Sequence, residues 1–376
     1  MCYHSCMSLF REKFKKELAK AGVTVNGDKP WDIQVHDERL YGRVILRGSI
    51  GLGEAYMDGW WDVKNLDEFF FKILRARLHV SNKAVGQDIF HSISNIFNRQ
   101  TVKRALVVGK QHYDIGNDLY KVMLDKRMVY TCGYWKNAKN LDEAQEAKLD
   151  LICRKLGLKA GDRVLDIGCG WGSFAKFAAE KYGAHVTGIT ISNEQVILAR
   201  ELTKGLPVDI KFLDYRNLEG TFDHIVSIGM FEHVGYKNYR TFMKVVAEHL
   251  KDDGIFLLHT LGENFANIAT DPWTDKYIFP NGSVPTLAQV SGATKNLFII
   301  EDLHNFSADY DTTLMAWQKN FDAHWKELEG KYSNRFYRMW NYFLLSFAGA
   351  FRARDNQLWQ IVLTKKGLLG GYTSVR

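Results

Sequence analysis

Residues 163–174, RVLDIGCGWGSF, constrain this chain more than any other stretch. Val164, Leu165 and Ile167 form a short apolar run that reads as a buried strand. The run breaks at Gly168, Gly170 and Gly172, and 173–182 reads as a helix. Strand, glycine-rich turn and helix form the nucleotide-binding entry of a doubly wound α/β sheet. The glycines let the backbone approach a ligand, and the helix N-terminus offers N–H groups without intrahelical partners. Taken alone, such a glycine run is equally an ordinary tight turn.

Two observations sharpen the choice of ligand. Asp166 sits inside the motif, just before the turn, where it would repel an anionic pyrophosphate and favour a ligand with a cationic ammonium and sulfonium. The next strand, 185–191, does not end in the acidic residue that usually holds an NAD ribose, but in Thr190-Ile191-Ser192-Asn193-Glu194-Gln195. Both points favour S-adenosylmethionine over NAD.

The rest of the second half alternates in the same way. Strands are expected at 163–167, 185–190, 208–213, 224–228 and 254–259, and helices at 173–182, 192–204 and 238–250. That succession predicts an α/β fold with a mostly parallel, doubly wound sheet and right-handed crossovers. Ligands in such sheets sit at the carboxyl ends of the strands, so 168–172, 190–195, 214–216, 229–235 and 259–261 are expected to converge on one cleft. A final apolar strand at 358–364 is expected to pair at the sheet edge. Residues 262–306 interrupt the alternation and hold three of the chain's five prolines, which reads as an insertion or lid over the strand ends.

The first half is organised differently. Helical spacing is found at 8–21 and 66–78, with a helix also expected at 40–46. The segment 23–35 alternates enough for one or two strands around Asn26-Gly27. The glycine-rich stretch GSIGLGEAYMDGWW, 48–61, is not expected to be regular helix throughout. Residues 1–85 are read as a small α+β domain, 86–110 as a connector and 111–376 as the catalytic domain. The helix at 8–21 either packs on its own domain or lies on a membrane.

Composition narrows the class. With 46% apolar and 25% charged residues, the 376-residue chain has the balance of a soluble globular protein. No apolar run approaches the roughly 20 residues that span a bilayer, and no secretory leader is evident, so a cytoplasmic location is expected. The five cysteines (2, 6, 132, 153 and 169) form no paired zinc pattern, so reduced thiols and no metal are expected. The net charge of +7 serves solubility or attraction to an anionic surface such as phospholipid.

Together, GSIGLGEAYMDGWW, KQHYDIGNDLY, YTCGYW, VLDIGCGWG, TISNEQ, MFEHVG, LLHT, DPWTDKYIFPNG, HNFSADYDTTLMAW and GAFRARDNQLWQ resemble the cyclopropane-fatty-acyl-phospholipid synthases. These are a lipid-modifying branch of the S-adenosylmethionine-dependent methyltransferases. VLDIGCGWG alone fits many methyltransferases; the long combination with a distinct N-terminal region is more specific. The resemblance implies a class I methyltransferase fold. It also implies transfer of a methylene from S-adenosylmethionine to the cis double bond of an unsaturated phospholipid acyl chain. Bound bicarbonate is the implied general base.

Residues matching the family's bicarbonate pocket are Cys132, Glu232, His259 and Tyr310. A thiol, an imidazole and a phenol donate to the anion, and Glu232 accepts its hydroxyl proton or orients His259. Read without the resemblance, Cys132 is a core thiol and His259 a satisfied core histidine, Tyr310 says little, and Glu232 is a strand-end carboxylate with a task. For the cofactor, Gly168, Gly170 and Gly172 line the methionine part, with Asp166 beside them and Tyr130 and Thr131 near its carboxylate. Thr190 and Gln195 reach the ribose region, and Asp214 either binds the adenine amino group or caps a turn. Tyr134, Trp135, Phe231, Tyr236 and Tyr277 are candidate cation-facing aromatics or ordinary core. Implied partners are the unsaturated phospholipid at the inner face of the cytoplasmic membrane and a second copy of the chain; no nucleic acid is expected. Rival readings are an unsaturated-lipid C-methyltransferase, a phospholipid-headgroup N-methyltransferase and a non-catalytic lipid-binding protein.

Overall fold

A computed structural model describes residues 2–78, 116–264 and 270–376. The expected connector and residues 110–115 of the KQHYDIGNDLY motif lie outside the described residues. In chain order the elements begin with α1 (Cys2–Lys20), β1 (Gln34–Val35), α2 (Arg39–Met57), β2 (Trp61–Asp62) and α3 (Leu66–Arg75). They continue through α4 (Asn117–Met123), α5 (Leu141–Leu156), β3 (Arg163–Ile167), α6 (Ser173–Tyr182), β4 (His185–Thr190), α7 (Asn193–Leu202), β5 (Val208–Phe212) and β6 (Phe222–Ile228). The last are α8 (Tyr239–His249), β7 (Leu250–Glu263), α9 (Pro272–Tyr277), α10 (Leu287–Thr294), β8 (Ile299–Asn305), α11 (Ala308–Ala323), α12 (Trp325–Leu328), α13 (Asn334–Arg352) and β9 (Asn356–Thr364).

The chain divides into two compact units, neither of them continuous. The sheet unit comprises Asn98–Ile268, Asn281–Asp309 and Gln357–Arg376; the helical unit comprises Met1–Phe97, Ala269–Pro280 and Tyr310–Asn356. This differs from the expectation of a contiguous N-terminal domain followed by a catalytic one. It also divides the expected lid: α9 belongs to the helical unit, whereas α10 and β8 belong to the sheet unit.

The sheet unit is built on seven strands in the order β5-β4-β3-β6-β7-β9-β8. β3 pairs in parallel with β4 and β6, β4 with β5, and β6 with β7. Strands buried on both faces read as near-continuous apolar runs, and the interior residues of β3 and β6 do so. β9 is antiparallel to β8 and lies inside the sheet, between β7 and β8, rather than at its edge. Its burial explains the place: every residue from Gln357 to Thr364 is buried, whereas Ile299 and Ile300 of β8 face solvent. The edge strand itself, IIEDLHN, is too polar to stand out in the sequence. α5 stops where the sequence permits: Asn140 caps its first turn by accepting from the Glu143 amide, and Gly157 closes it at φ 64.

In the helical unit, α13 packs on α2 and α3, and α1 packs on α2. Phe14 and Leu18 are buried and Phe14 meets the Tyr41 ring at 5.5 Å, so the N-terminal helix packs on its own unit. The stretch 48–57 is helical but broken at Gly48 (φ 58, ψ −136). Of the one or two strands expected in 23–35, a short one forms, β1 (Gln34–Val35), and Val25 makes a single bridge to Ile33 across the Asn26-Gly27 turn. Asp32 collects the Thr24 and Lys29 amides at 2.7 and 3.0 Å and Asn26 accepts from Val35 at 2.8 Å, which satisfies the backbone locally. Among the described residues no helix is long and apolar enough to cross a membrane.

Candidate active site

The glycine turn leaves the carboxyl end of β3 in the left-handed region: φ is 83 at Gly168, 55 at Gly170 and 78 at Gly172. A Cβ on Gly168 would stand 2.6 Å from Met230, in the loop after β6, so the close approach itself demands glycine there. The Gly168 and Cys169 amides are tied to the Ile189 carbonyl at 2.9 and 3.0 Å, which fixes the turn to β4. Asp166, one residue before the end of β3, is buried to 1% exposure, and its Oδ1 has no hydrogen-bond partner in the protein. Burial pushes its pKa up to about 7, with the Lys148 ammonium pulling the other way.

Opposite this turn lies the segment 130–132. The Thr131 methyl abuts Gly229, where a Cβ would come within 2.6 Å, so the segment touches the carboxyl end of β6. Its carbonyl accepts from Gln145 Nε2 at 2.7 Å and its hydroxyl from Lys148 Nζ at 2.8 Å, both from α5. Tyr130 meets Tyr120 at 5.0 Å, and Tyr120 meets Trp171 of the glycine turn at 5.0 Å. Ser173 completes the link by donating to the Arg127 carbonyl at 2.7 Å.

Glu232 follows β6 in a single helical turn, Phe231–His233. Its Oε1 accepts from the Leu261 amide at 2.5 Å, while Oε2 is buried without a partner. Burial pushes the carboxyl up to about 7, opposed by the Leu261 amide. His259 lies on β7 opposite Ile228 of β6, and its imidazole is held neutral by burial, well below its ordinary pKa. Gln360 Nε2 of β9 meets its Nδ1 at 3.2 Å, and its Nε2 has no partner. With the Gln360 amide donating, the neutral ring carries its proton on Nε2, a donor available to an anion. Cys132 is fully buried and its thiol donates to the Gly133 carbonyl at 3.1 Å. Tyr134, two residues on, and His259 share the Phe306 ring, at 5.4 and 5.8 Å. Cys132, Glu232 and His259 are therefore gathered in the sheet unit. Tyr310 belongs to the helical unit, where its ring packs on Phe351 at 4.5 Å.

On the far side of the glycine turn, Thr190 donates to Gln195 Oε1 at 2.7 Å, and Ser192 caps α7 by accepting from the Gln195 amide. Asp214 caps the short turn after β5 and is forked by Arg216 at 2.8 and 2.6 Å. Burial would raise its pKa, but the Arg216 hydrogen bonds and charge outweigh that and hold it low, so this carboxylate is ionised. Among the aromatics, Phe231 is stacked on Tyr239 at 4.2 Å, Tyr236 is half exposed, and Tyr277 in the helical unit donates to Glu54 at 3.0 Å.

These residues fit S-adenosylmethionine chemically: a buried carboxylate with an unpartnered oxygen for a cationic group, a turn with glycine at 168, 170 and 172, and an ionised acid two strands away, after β5. Glu232 Oε2 and His259 Nε2, both buried and unpartnered, fit a small hydrogen-bonding anion. No group of three or more His, Cys, Asp or Glu able to hold a metal is found among the described residues.

Residues 100–361 match the family model described as mycolic acid cyclopropane synthetase. The chain belongs to that family. Within reach of this family, the chain is 53% identical over 349 residues to the cyclopropane-fatty-acyl-phospholipid synthase of Escherichia coli K12, covering 93% of this chain and 91% of that protein. A probable fatty acid methyltransferase of Pseudomonas putida is 36% identical over 68% of each chain. The solved mycolic acid cyclopropane synthase CmaA1, complexed with SAH and CTAB, superposes with a TM-score of 0.64 at 28% identity, over 69% of this chain and 98% of its own. As a member of the cyclopropane synthetase family with this strand order, the chain has the class I S-adenosylmethionine-dependent methyltransferase fold.

Two site residues are not evident in the sequence as site residues: Lys148 and Gln360. Lys148 does leave one signal. It falls on the same helical stripe as Leu141, Ala144 and Leu151, where an apolar residue is the norm. Gln360 leaves none, because its role depends on a strand neighbour.

Proposed function

We propose that this enzyme transfers a methylene from S-adenosylmethionine to the cis double bond of unsaturated phospholipid acyl chains, forming a cyclopropane ring. The observation that carries the reading is the 53% identity, over 93% of the chain, to a cyclopropane-fatty-acyl-phospholipid synthase. When bound, S-adenosylmethionine supplies the electrophilic methyl group and bicarbonate the base that removes a methyl proton. Asp166 faces the cofactor's cationic amino-acid end, and Thr131 with Tyr130 faces its carboxylate. Gly168, Gly170 and Gly172 bring the backbone close, Thr190 and Gln195 form the ribose side, and Asp214 takes the adenine amino group. Cys132, His259 and Tyr310 donate to bicarbonate, and Glu232 accepts from it. The base needs position more than strength, because the carbocation formed on the alkene is strongly acidic. The buried, unpartnered Glu232 Oε2 and His259 Nε2 support this assignment. A homodimer working at the inner face of the cytoplasmic membrane completes the reading; the family resemblance and the +7 charge support it.

A C-methyltransferase that stops before ring closure is the second reading, favoured by the match to a probable fatty acid methyltransferase. Labelled S-adenosylmethionine and vesicles of cis-unsaturated phospholipid separate the two, with bicarbonate present and then removed. A product heavier by one CH2 that resists hydrogenation is expected, formed more slowly without bicarbonate. A hydrogenatable branched product sinks the cyclopropane reading, and unchanged rates without bicarbonate sink the base assignment.

A further inference from the structure

Lys148 sits in the middle of α5 with its side chain completely out of solvent. A leucine on that stripe would fill the space at no electrostatic cost, whereas a buried ammonium must be compensated. Its compensation comes from several elements. Nζ donates to Thr131 Oγ1 at 2.8 Å. Asp125, in the segment before 130–132, and Asp166 of β3 attract the charge, and the Cys132 thiol and the His259 imidazole of β7 face it too. Asp125 is already satisfied: it accepts from the Val129 amide at 2.8 Å and the Arg127 amide at 3.0 Å. Asp166 is not, since its Oδ1 has no protein partner.

We propose that Lys148 is a positioning residue for the cofactor's amino-acid end: its ammonium fixes the Thr131 hydroxyl and stands as the counter-charge to the buried Asp166 carboxylate. The proposal rests on the S-adenosylmethionine reading above. Without the ammonium, Asp166 is left in a low-dielectric site and takes up a proton. It then no longer attracts a cationic amino group, and Thr131 loses the bond that sets its rotamer. The adenosine end, held from β4 and β5, is untouched.

The test uses the full chain and two probes: S-adenosylhomocysteine, which carries the amino-acid end, and 5′-methylthioadenosine, which lacks it. Calorimetry on Lys148→Met, and on Lys148→Gln as a second neutral variant, is expected to weaken S-adenosylhomocysteine binding by at least about tenfold and to leave methylthioadenosine binding within about twofold. In turnover the KM for S-adenosylmethionine rises more than kcat falls, and Lys148→Arg, which restores the charge, recovers S-adenosylhomocysteine affinity. Equal weakening of both probes, or no change in either, overturns the proposal. Wild-type protein that binds neither probe overturns the S-adenosylmethionine reading itself and takes the proposal with it.

Discussion

Burial at Glu232 favours the protonated carboxyl, and this has a consequence for stability with a definite sign. Its pKa rises from 4.5 in the unfolded chain to about 7 in the fold. Between those values the folded protein holds a proton that the unfolded chain has released, so stability falls as pH rises through that window. Asp166 behaves alike between 3.8 and about 7. Glu232→Gln and Asp166→Asn are therefore expected to melt a few degrees above wild type near pH 8 and to lose that advantage near pH 4, by calorimetry. Glu232→Gln should at the same time lose activity by about a hundredfold or more. A variant no more stable at either pH would sink the assignment of a strained, buried carboxyl. At this scale the sequence displayed Asp166 and Glu232 clearly, since each is an acid at the end of an apolar run. It did not display Gln360, because only the insertion of β9 beside β7 brings that amide to His259.

The glycine-rich stretch of α2 is decided by what it packs against. A Cβ at Gly53 would lie 2.4 Å from Trp273 Cδ1 on α9, and Trp273 is 1% exposed and cannot move aside. Glu54, the next residue, is held by Arg43 and Arg47 of its own helix and by Lys276 and Tyr277 of α9. Burial alone would raise the Glu54 pKa, yet these partners draw it down to about 2. Gly53→Ala is expected to cost about 1–3 kcal/mol in denaturant unfolding, through overpacking. An unchanged midpoint would refute the close packing of α2 on α9. The sequence marks 48–61 as irregular, and Gly48 does break the helix; it gives no hint that the later glycines are contact glycines within regular helix.

At the scale of the whole molecule, the +7 charge and the membrane reading lead to a solution test. Sedimentation with vesicles rich in anionic phospholipid should fall steeply between about 0.05 and 0.5 M salt, because the screening length shrinks with ionic strength. Salt-independent sedimentation would point to apolar insertion instead. What the sequence determined by itself is the parallel core. Short apolar strands buried on both faces, glycines at forced φ and capped helices are local or periodic properties, and each is written in a few adjacent residues. The family followed from motifs of the same local kind. Only the tertiary structure decided that β9 enters the sheet between β7 and β8, that residues 269–280 and 310–356 join the N-terminal residues in one unit, and that a lysine of α5 lies among Asp166, Cys132 and His259. Those outcomes join residues far apart in the chain, where burial and charge compensation, rather than local propensity, choose the partner.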